Sequence, residues 1–141
     1  MKKIPLICAA VLLCLGIALG GMHFFGRVSV TAQRKIYPLG TEEIICTWRN
    51  GTLKTVSFGA FFRLEIWDGS EWADVEPLNE IMFKMIGYGL KPGLWYKITY
   101  NTRYPYGPLQ AGQYRITAAY SVQEGESYSD DYPVYAAFEI K

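Results

Sequence analysis

The sequence has very little of the side chains that usually carry catalysis or bind metals. It contains one histidine, His23, and three cysteines, Cys8, Cys14 and Cys46. A zinc site needs about three or four such ligands, and a general base needs a positioned partner. Neither a Gly-x-Ser-x-Gly elbow nor a His-Glu-x-x-His pair is present. The sequence therefore predicts no metal, no cofactor and no enzyme, and a hydrolase with converging carboxylates is a remote alternative.

An excess of either charge is also missing. The 141 residues include 14 Lys and Arg against 13 Asp and Glu, so the net charge is +1. A nucleic-acid-binding protein needs a basic surface to neutralise phosphates, so we expect no nucleic-acid partner. Disorder is excluded as well, because half of the residues are hydrophobic and 16% are aromatic.

Charged residues are absent from positions 4–25, which directly follow Lys2 and Lys3. A basic start and an apolar run are typical of an export signal. The whole run approaches the roughly 20 residues that span a bilayer, and the lysines hold the N-terminus in the cytoplasm. Residues 1–25 are therefore predicted to be a signal peptide or a signal-anchor transmembrane helix, with residues 26–141 forming one domain outside.

Two fates of this segment stay open. Retention is favoured because Met22, Phe24 and Phe25 extend the apolar run beyond Gly20, after which a signal peptidase could cut. We thus expect a single-pass protein of the cell membrane with its C-terminal domain outside, or a secreted protein if cleavage occurs. Lipidation of Cys8 or Cys14 is disfavoured, because neither cysteine has the preceding residues that lipoprotein processing requires.

Cys46 is the single cysteine of residues 26–141, so this exported domain has no internal disulfide. Ile44, Cys46 and Trp48 alternate with other residues and share one face of a strand. We expect Cys46 to be a buried apolar residue rather than a reactive thiol.

Residues 26–141 show the alternation and the turns of an all-β domain. Strands are predicted at 28–30, 43–49, 56–67, 72–75, 81–90, 94–100, 113–120 and 133–140. Asp68-Gly69 and Pro92-Gly93 are typical turn residues. No sustained helical period is present. Seven to eight antiparallel strands in one domain favour a β-sandwich, preceded by one N-terminal hydrophobic helix.

Leu109, Gly112 and Tyr114 form the pattern of a tyrosine corner. In this motif a tyrosine at a strand start bonds back to backbone a few residues upstream. We expect Tyr114 to be mostly buried and its role to be structural.

The candidate binding residues are aromatic. Tyrosine and tryptophan combine contact area with a polar group, which suits recognition of protein or sugar. The candidates are Tyr104, Tyr106, Arg103, Tyr96 and Tyr100. Tyr104 and Tyr106 are favoured because Asn101-Thr102-Arg103 and the flanking prolines indicate a loop. Trp95 must lie on the face opposite Tyr96 and Tyr100, so some of these rings are expected in the core.

Two polar motifs allow a structural and a functional interpretation. The acidic loop at 124–131 offers oxygen ligands for a weak Ca²⁺ site, but a solvated hairpin tip is favoured. Asn50-Gly51-Thr52 matches a glycosylation acceptor, but an Asn-Gly turn is the simpler explanation.

The stretch 50–116 resembles a family of bacterial immunoglobulin-like domains of exported proteins, particularly of Gram-positive bacteria. The matching motifs are Phe58-Gly59, Leu64-Glu65, Asp68-Gly69 with Trp72 and Val75, Ile86-Gly87-Tyr88, Leu90-Lys91-Pro92-Gly93, Tyr106-Gly107-Pro108-Leu109 and Gly112-Gln113-Tyr114-Arg115-Ile116. The resemblance implies an Ig-like sandwich in an exported protein and supplies no catalytic residue.

These observations predict a non-catalytic extracytoplasmic interaction or structural module, tethered to the cell envelope through the membrane. The alternative is a secreted carbohydrate- or cell-wall-binding domain that uses the aromatic loop. A protein or a glycan is the expected partner in the two cases.

Overall fold

The computed structural model describes residues 26–141. The predicted signal or transmembrane helix at 1–25 lies outside the described residues. Within the described part, no helix is long and apolar enough to cross a membrane.

Eleven strands and one short helix make up the described chain. They are β1 (Val28–Ala32), β2 (Ile36–Tyr37), β3 (Glu43–Asn50), β4 (Val56–Gly59), β5 (Arg63–Trp67), β6 (Trp72–Asp74), β7 (Gly87–Leu90), β8 (Trp95–Asn101), α1 (Arg103–Tyr106), β9 (Gly112–Glu124), β10 (Ser127–Tyr128) and β11 (Tyr132–Ile140). The predicted all-β class is confirmed, and the larger strand count reflects two-residue strands and one interrupted strand.

The strands form two separate sheets. The smaller sheet has the order β1-β3-β8, and the larger has the order β2-β11-β9-β4-β7. The long strand β9 pairs along one side with β11, while β5 and β4 follow one another along its other side. The hairpins β5-β6 and β9-β10 extend the larger sheet.

The core lies between the sheets, where every second residue of each strand points inward. Ile44, Cys46 and Trp48 are all fully buried, which confirms the face predicted for β3. Other residues at the centre of the core are Val56, Leu64, Tyr100, Ile116 and Ile140.

The run 56–67, predicted as one strand, is interrupted in the middle. Phe58 lies opposite Tyr120 and Leu64 lies opposite Ile116. The segment from Phe58 to Leu64 is therefore two residues longer than the part of β9 that it faces. Such an insertion behaves as a bulge and breaks the ladder. It turns Phe61 outward to solvent.

Two other details differ from the prediction. Strand pairing within 81–90 is confined to β7, and Ile81 and Phe83 pack against the core without pairing to a strand. The expected antiparallel arrangement is wrong for one pair, since β2 runs parallel to β11. The chain crosses from the smaller to the larger sheet between β1 and β2, which places β2 beside β11.

Candidate functional site

An aromatic cluster connects the two sheets and reaches the surface beside β8. Trp48 stacks on Phe58 at 4.0 Å between ring centroids, and its indole Nε1 donates to the Tyr100 hydroxyl at 3.0 Å. Tyr88 lies 5.3 Å from Phe58 and 5.0 Å from Tyr96. These rings form a continuous series of contacts from the centre of the core to the surface between β7 and β8.

Two of the five predicted binding residues are buried in this region. Tyr100 points inward because it alternates with Thr99 and Asn101 in β8. Tyr106 is carried inward by α1, and its hydroxyl accepts a hydrogen bond from the Leu64 amide at 3.1 Å. Burial raises the pKa of both phenols above the usual value. The expectation that both contribute to a surface patch is therefore corrected.

The other three predicted residues lie at the surface. Tyr104 is 63% exposed and Tyr96 is 40% exposed. Arg103 lies 3.9 Å from the carboxylate of Glu42. Trp95 is 59% exposed, on the face opposite Tyr96, as alternation predicts.

The short helix α1 accepts hydrogen bonds from the segment that connects β6 to β7. The Leu78 amide donates to the Pro105 carbonyl at 2.7 Å, and Asn79 Nδ2 donates to the Tyr104 carbonyl at 2.6 Å. Gly107 ends α1 with φ of +71°, and a Cβ there would lie 2.8 Å from the Leu78 side chain. The positive φ favours glycine at this position, whereas the exposed Leu78 side chain can shift to make room for a Cβ.

A groove of about 270 Å³ opens between this segment and β8. Its floor includes the buried rings of Phe62 and Tyr100. Residues of both walls and of the rim are Ala60, Ile81, Met82, Phe83, Lys84, Ile86, Tyr88, Ile98, Thr99, Asn101, Tyr104 and Pro105. Met82 is 87% exposed at its mouth. Of the five residues predicted to bind, the groove thus brings Tyr100 and Tyr104 together and leaves out the others.

The run from Ile81 to Ile86 forms a wall of the groove, although its sequence predicts a strand. A signal for the wall is present, because only Lys84 interrupts six otherwise apolar residues. A short, almost continuous apolar run also fits a fully buried strand, so this signal does not distinguish a strand from an irregular wall.

The outer face of the larger sheet carries a second aromatic cluster. The Arg115 guanidinium lies between two rings, 4.6 Å from the Trp72 centroid and 4.1 Å from the Tyr135 centroid. It also donates to the Glu65 carboxylate, which accepts from the Thr117 hydroxyl as well. Because Arg115 pairs with Glu65 and both rings pack on its guanidinium, this cluster stabilises the sheet face.

Tyr114 has the geometry of a tyrosine corner. Its ring is buried, and its hydroxyl donates to the Gln110 carbonyl at 2.9 Å. Leu109 is buried beside it, and a Cβ at Gly112 would lie 3.5 Å from the Tyr114 ring. Burial raises the pKa of the phenol.

Asn50 is a buried structural residue, with a larger role than the Asn-Gly turn predicts. Its Nδ2 donates to the carbonyls of Lys54 and Leu90 at 2.8 Å, and its Oδ1 accepts from Thr52. The side chain thus ties the end of β3 to the end of β7 in the other sheet, and it is not accessible for glycosylation. The sequence signal is Thr52 two residues later, which suits an Asx turn.

The remaining chemical candidates are isolated. Burial raises the pKa of the Cys46 thiol to about 12, which opposes thiolate formation. Within residues 26–141, no group of three or more His, Cys, Asp or Glu side chains is placed to hold a metal ion. Asp74 lines a shallow depression with Glu76, but it is held 3.3 Å from Arg63.

The two-sheet architecture defines an Ig-like β-sandwich. A family model described as bacterial Ig-like domain matches residues 26–139. The chain therefore belongs to the bacterial Ig-like domain family, which confirms the resemblance seen in the sequence. No curated protein matches the chain.

Two solved structures are similar at low identity. One is the CsuC–CsuE chaperone–tip adhesion subunit pre-assembly complex from archaic chaperone-usher Csu pili of Acinetobacter baumannii, with 14% identity and a TM-score of 0.44. That match covers 79% of this chain and 56% of the other, so this chain spans about half of the matched chain's length. The second is a protein from Archaeoglobus fulgidus, with 12% identity, a TM-score of 0.30 and coverage of 82% and 97% of the two chains.

Proposed function

We propose that the chain is a non-catalytic interaction module of the bacterial cell envelope, held at the outer face of the membrane by its N-terminal segment. The observation that carries this proposal is that an uncharged N-terminal run directly precedes the β-sandwich. Lys2 and Lys3 precede an uncharged run that ends at residue 25, and β1 already begins at Val28. A retained helix of this kind would keep the sandwich close to the membrane surface.

The chemistry of the described residues supports a binding role over an enzymatic one. The buried thiol of Cys46 is protonated at neutral pH, and Glu65 and Asp74 are engaged by arginines. By contrast, the groove beside β8 presents exposed apolar side chains next to a strand edge. Contiguous exposed apolar surface on a small domain marks an interaction site.

Cell fractionation with external protease tests the location. The full-length chain should sediment with membranes, require detergent for release, and be digested when protease is added to intact cells. Leu13→Arg places a charge in the apolar run and should leave the protein in the cytoplasm, while Gln33→Arg on the exposed surface should not. Recovery in the culture supernatant alone would support the secreted alternative, and cytoplasmic wild-type protein would contradict export.

A secreted carbohydrate-binding domain is the second candidate, supported by the exposed ring of Tyr104. Stacking on sugars uses exposed aromatic faces. This candidate is weaker because Tyr100 and Tyr106 are buried. The faces of Trp72 and Tyr135 that pack on Arg115 are also not free to stack on a sugar. Binding to isolated cell wall that Tyr104→Ala abolishes, with Tyr128→Ala as an exposed control, would favour it.

A further inference from the structure

The outer edge of β8 presents backbone groups that no strand of the described chain covers. This strand has β3 as its one neighbour in the sheet order. Hydrogen bonds from the Asn50 amide to the Leu94 carbonyl and from the Thr102 amide to the Glu42 carbonyl mark the two ends of the pair. Because antiparallel bonding alternates along a strand, even-numbered residues of β8 bond to β3. The N–H and C=O groups of Lys97 and Thr99 consequently point away from it.

This edge is one wall of the groove. Residues from Ile98 to Asn101 line it together with the apolar run that begins at Ile81. The volume of about 270 Å³ lies just below the roughly 300–1,000 Å³ of small-molecule pockets. A chain that paired with β8 would place every second side chain into this apolar space. The geometry thus matches recognition of a strand by its backbone and by alternate side chains.

The charge that lines the groove is positive. Lys84 is the charged residue that lines it, and the lining contains no carboxylate. Lys97 stands exposed at the middle of β8 on the outer face of the smaller sheet. A neighbouring strand would meet Lys97 with a side chain of its own outer face, where opposite charges stabilise and like charges destabilise.

A second copy of this chain is a poor occupant of the same edge. Two-fold pairing centred on β8 would bring Lys97 of both copies onto the same face. An exposed lysine on an edge strand is a common means of preventing such self-association. The occupant that fits is therefore a different chain with an acidic residue at this position.

We propose that the β8 edge and its groove bind an extended segment of a partner protein, whose aliphatic residues alternate with polar ones and include a central acidic residue. The segment adds to the smaller sheet as a fourth strand beyond β8. Its inner side chains enter the groove over Phe62 and Tyr100, and its acidic side chain pairs with Lys97. This inference rests on the proposed role as an interaction module and gives that role a site and a partner chemistry.

A labelled peptide with the seven-residue length of β8 tests the proposal. Valines alternate with threonines in this peptide, with one central aspartate, and binding to the detergent-solubilised full-length chain is followed by fluorescence anisotropy. Thr99→Pro removes an outward N–H without removing a bond to β3, and it should weaken binding about tenfold. Ala32→Pro, at the opposite edge of the same sheet, should leave binding unchanged.

Charge exchange provides a second test that does not depend on a proline. Lys97→Glu should weaken binding of the aspartate peptide about threefold and strengthen binding of a matched lysine peptide by a similar factor. Absence of saturable binding up to about 1 mM peptide, or equal binding by wild type, Thr99→Pro and Lys97→Glu, would overturn the proposal. Displacement of the peptide by soluble peptidoglycan fragments would also overturn it, in favour of a glycan. A negative result in the cell fractionation experiment would contradict only the proposed location, because that experiment does not depend on the groove.

Discussion

One edge of the sandwich, at β2 and β11, is closed by backbone pairing, and the other edge, at β7 and β8, is open. At one edge the chain crosses between the sheets, and backbone bonds join the Glu139 amide to the Lys35 carbonyl at 2.8 Å and the Lys141 amide to the Tyr37 carbonyl at 3.0 Å. At the other edge, β7 and β8 belong to different sheets, and the rings of Tyr88 and Tyr96 bridge them. Backbone pairing consumes the polar groups of a strand edge, whereas side-chain packing leaves them available. Strand β1 at the first edge also has β3 as its one neighbour in the sheet, so the feature that suits the second edge to a partner is its apolar groove.

The largest expected effect contrasts the centre of the core with the open edge. Trp48→Ala removes a fully buried ring that stacks on Phe58 and bonds to Tyr100, and it should cost about 4 kcal/mol of unfolding free energy. Trp95→Ala changes the exposed cross-strand neighbour of Arg49 and should cost less than about 0.5 kcal/mol. Urea denaturation of both variants gives the comparison. Similar losses would show that the exposed ring is part of the core.

The next comparison sets one tyrosine from each edge against the other. Tyr37 is buried at the closed edge, 5.7 Å from Phe138 in an edge-to-face contact. Tyr37→Ala should therefore cost about 3 kcal/mol. Tyr96 is partly exposed at the open edge, so Tyr96→Ala should cost about 1 kcal/mol. The reverse order in chemical denaturation would contradict the assignment of closed and open edges.

Two tyrosine hydroxyls provide a smaller contrast. Tyr106→Phe leaves the buried Leu64 amide without a partner and should cost about 2 kcal/mol. Tyr114→Phe frees the carbonyl of exposed Gln110, which water can satisfy, and should cost about 1 kcal/mol. Thermal melting of the two variants measures the two losses of stability. A Tyr114→Phe midpoint equal to that of the wild type would remove the tyrosine corner as a stabilising feature.

The smallest effect concerns pH and the outer face of the larger sheet. Burial alone would raise the pKa of Glu65, but hydrogen bonds from Arg115 and Thr117 and the positive charges of Arg115 and Arg63 lower it below 4.5. A carboxyl whose pKa is lowered by folding stabilises above its unfolded pKa, and that contribution disappears as the pH falls through the folded pKa.

Glu65→Gln should therefore cost about 0.5–1 kcal/mol at pH 7 and progressively less below about pH 4. Glu126→Gln, at the exposed hairpin tip, serves as the control. Denaturant titrations at pH 7 and pH 3 measure the difference. A cost for Glu65→Gln that grows on acidification would contradict the predicted direction of the pH dependence.

Local patterns in the sequence predict much of the fold. Alternation locates the buried face of β3 at Ile44, Cys46 and Trp48, and the turn residues separate most strands correctly. The interruption after Phe58 and the parallel β2-β11 pair are not predictable, because both depend on register with strands distant in the chain. Period-two alternation describes one strand and does not determine its partner.

The candidate site is less predictable than the fold. Sequence reasoning selects Tyr104 correctly as exposed, but it cannot foresee that α1 turns Tyr106 inward towards Leu64. It also cannot identify β8 as an edge, because an edge is defined by the sheet order and not by composition. The groove arises only when the irregular run from Ile81 meets that edge.

Amide hydrogen exchange along β8 measures most directly whether this edge is open. The open edge predicts alternation: the amides of Ile98 and Tyr100 exchange slowly because they bond to β3, while those of Lys97 and Thr99 exchange at rates close to those of solvent-exposed amides. Residue-resolved exchange by NMR on the full-length chain reads all four positions in one experiment. Slow exchange at Lys97 and Thr99 without any added partner would show that the edge is already covered and would contradict an open edge.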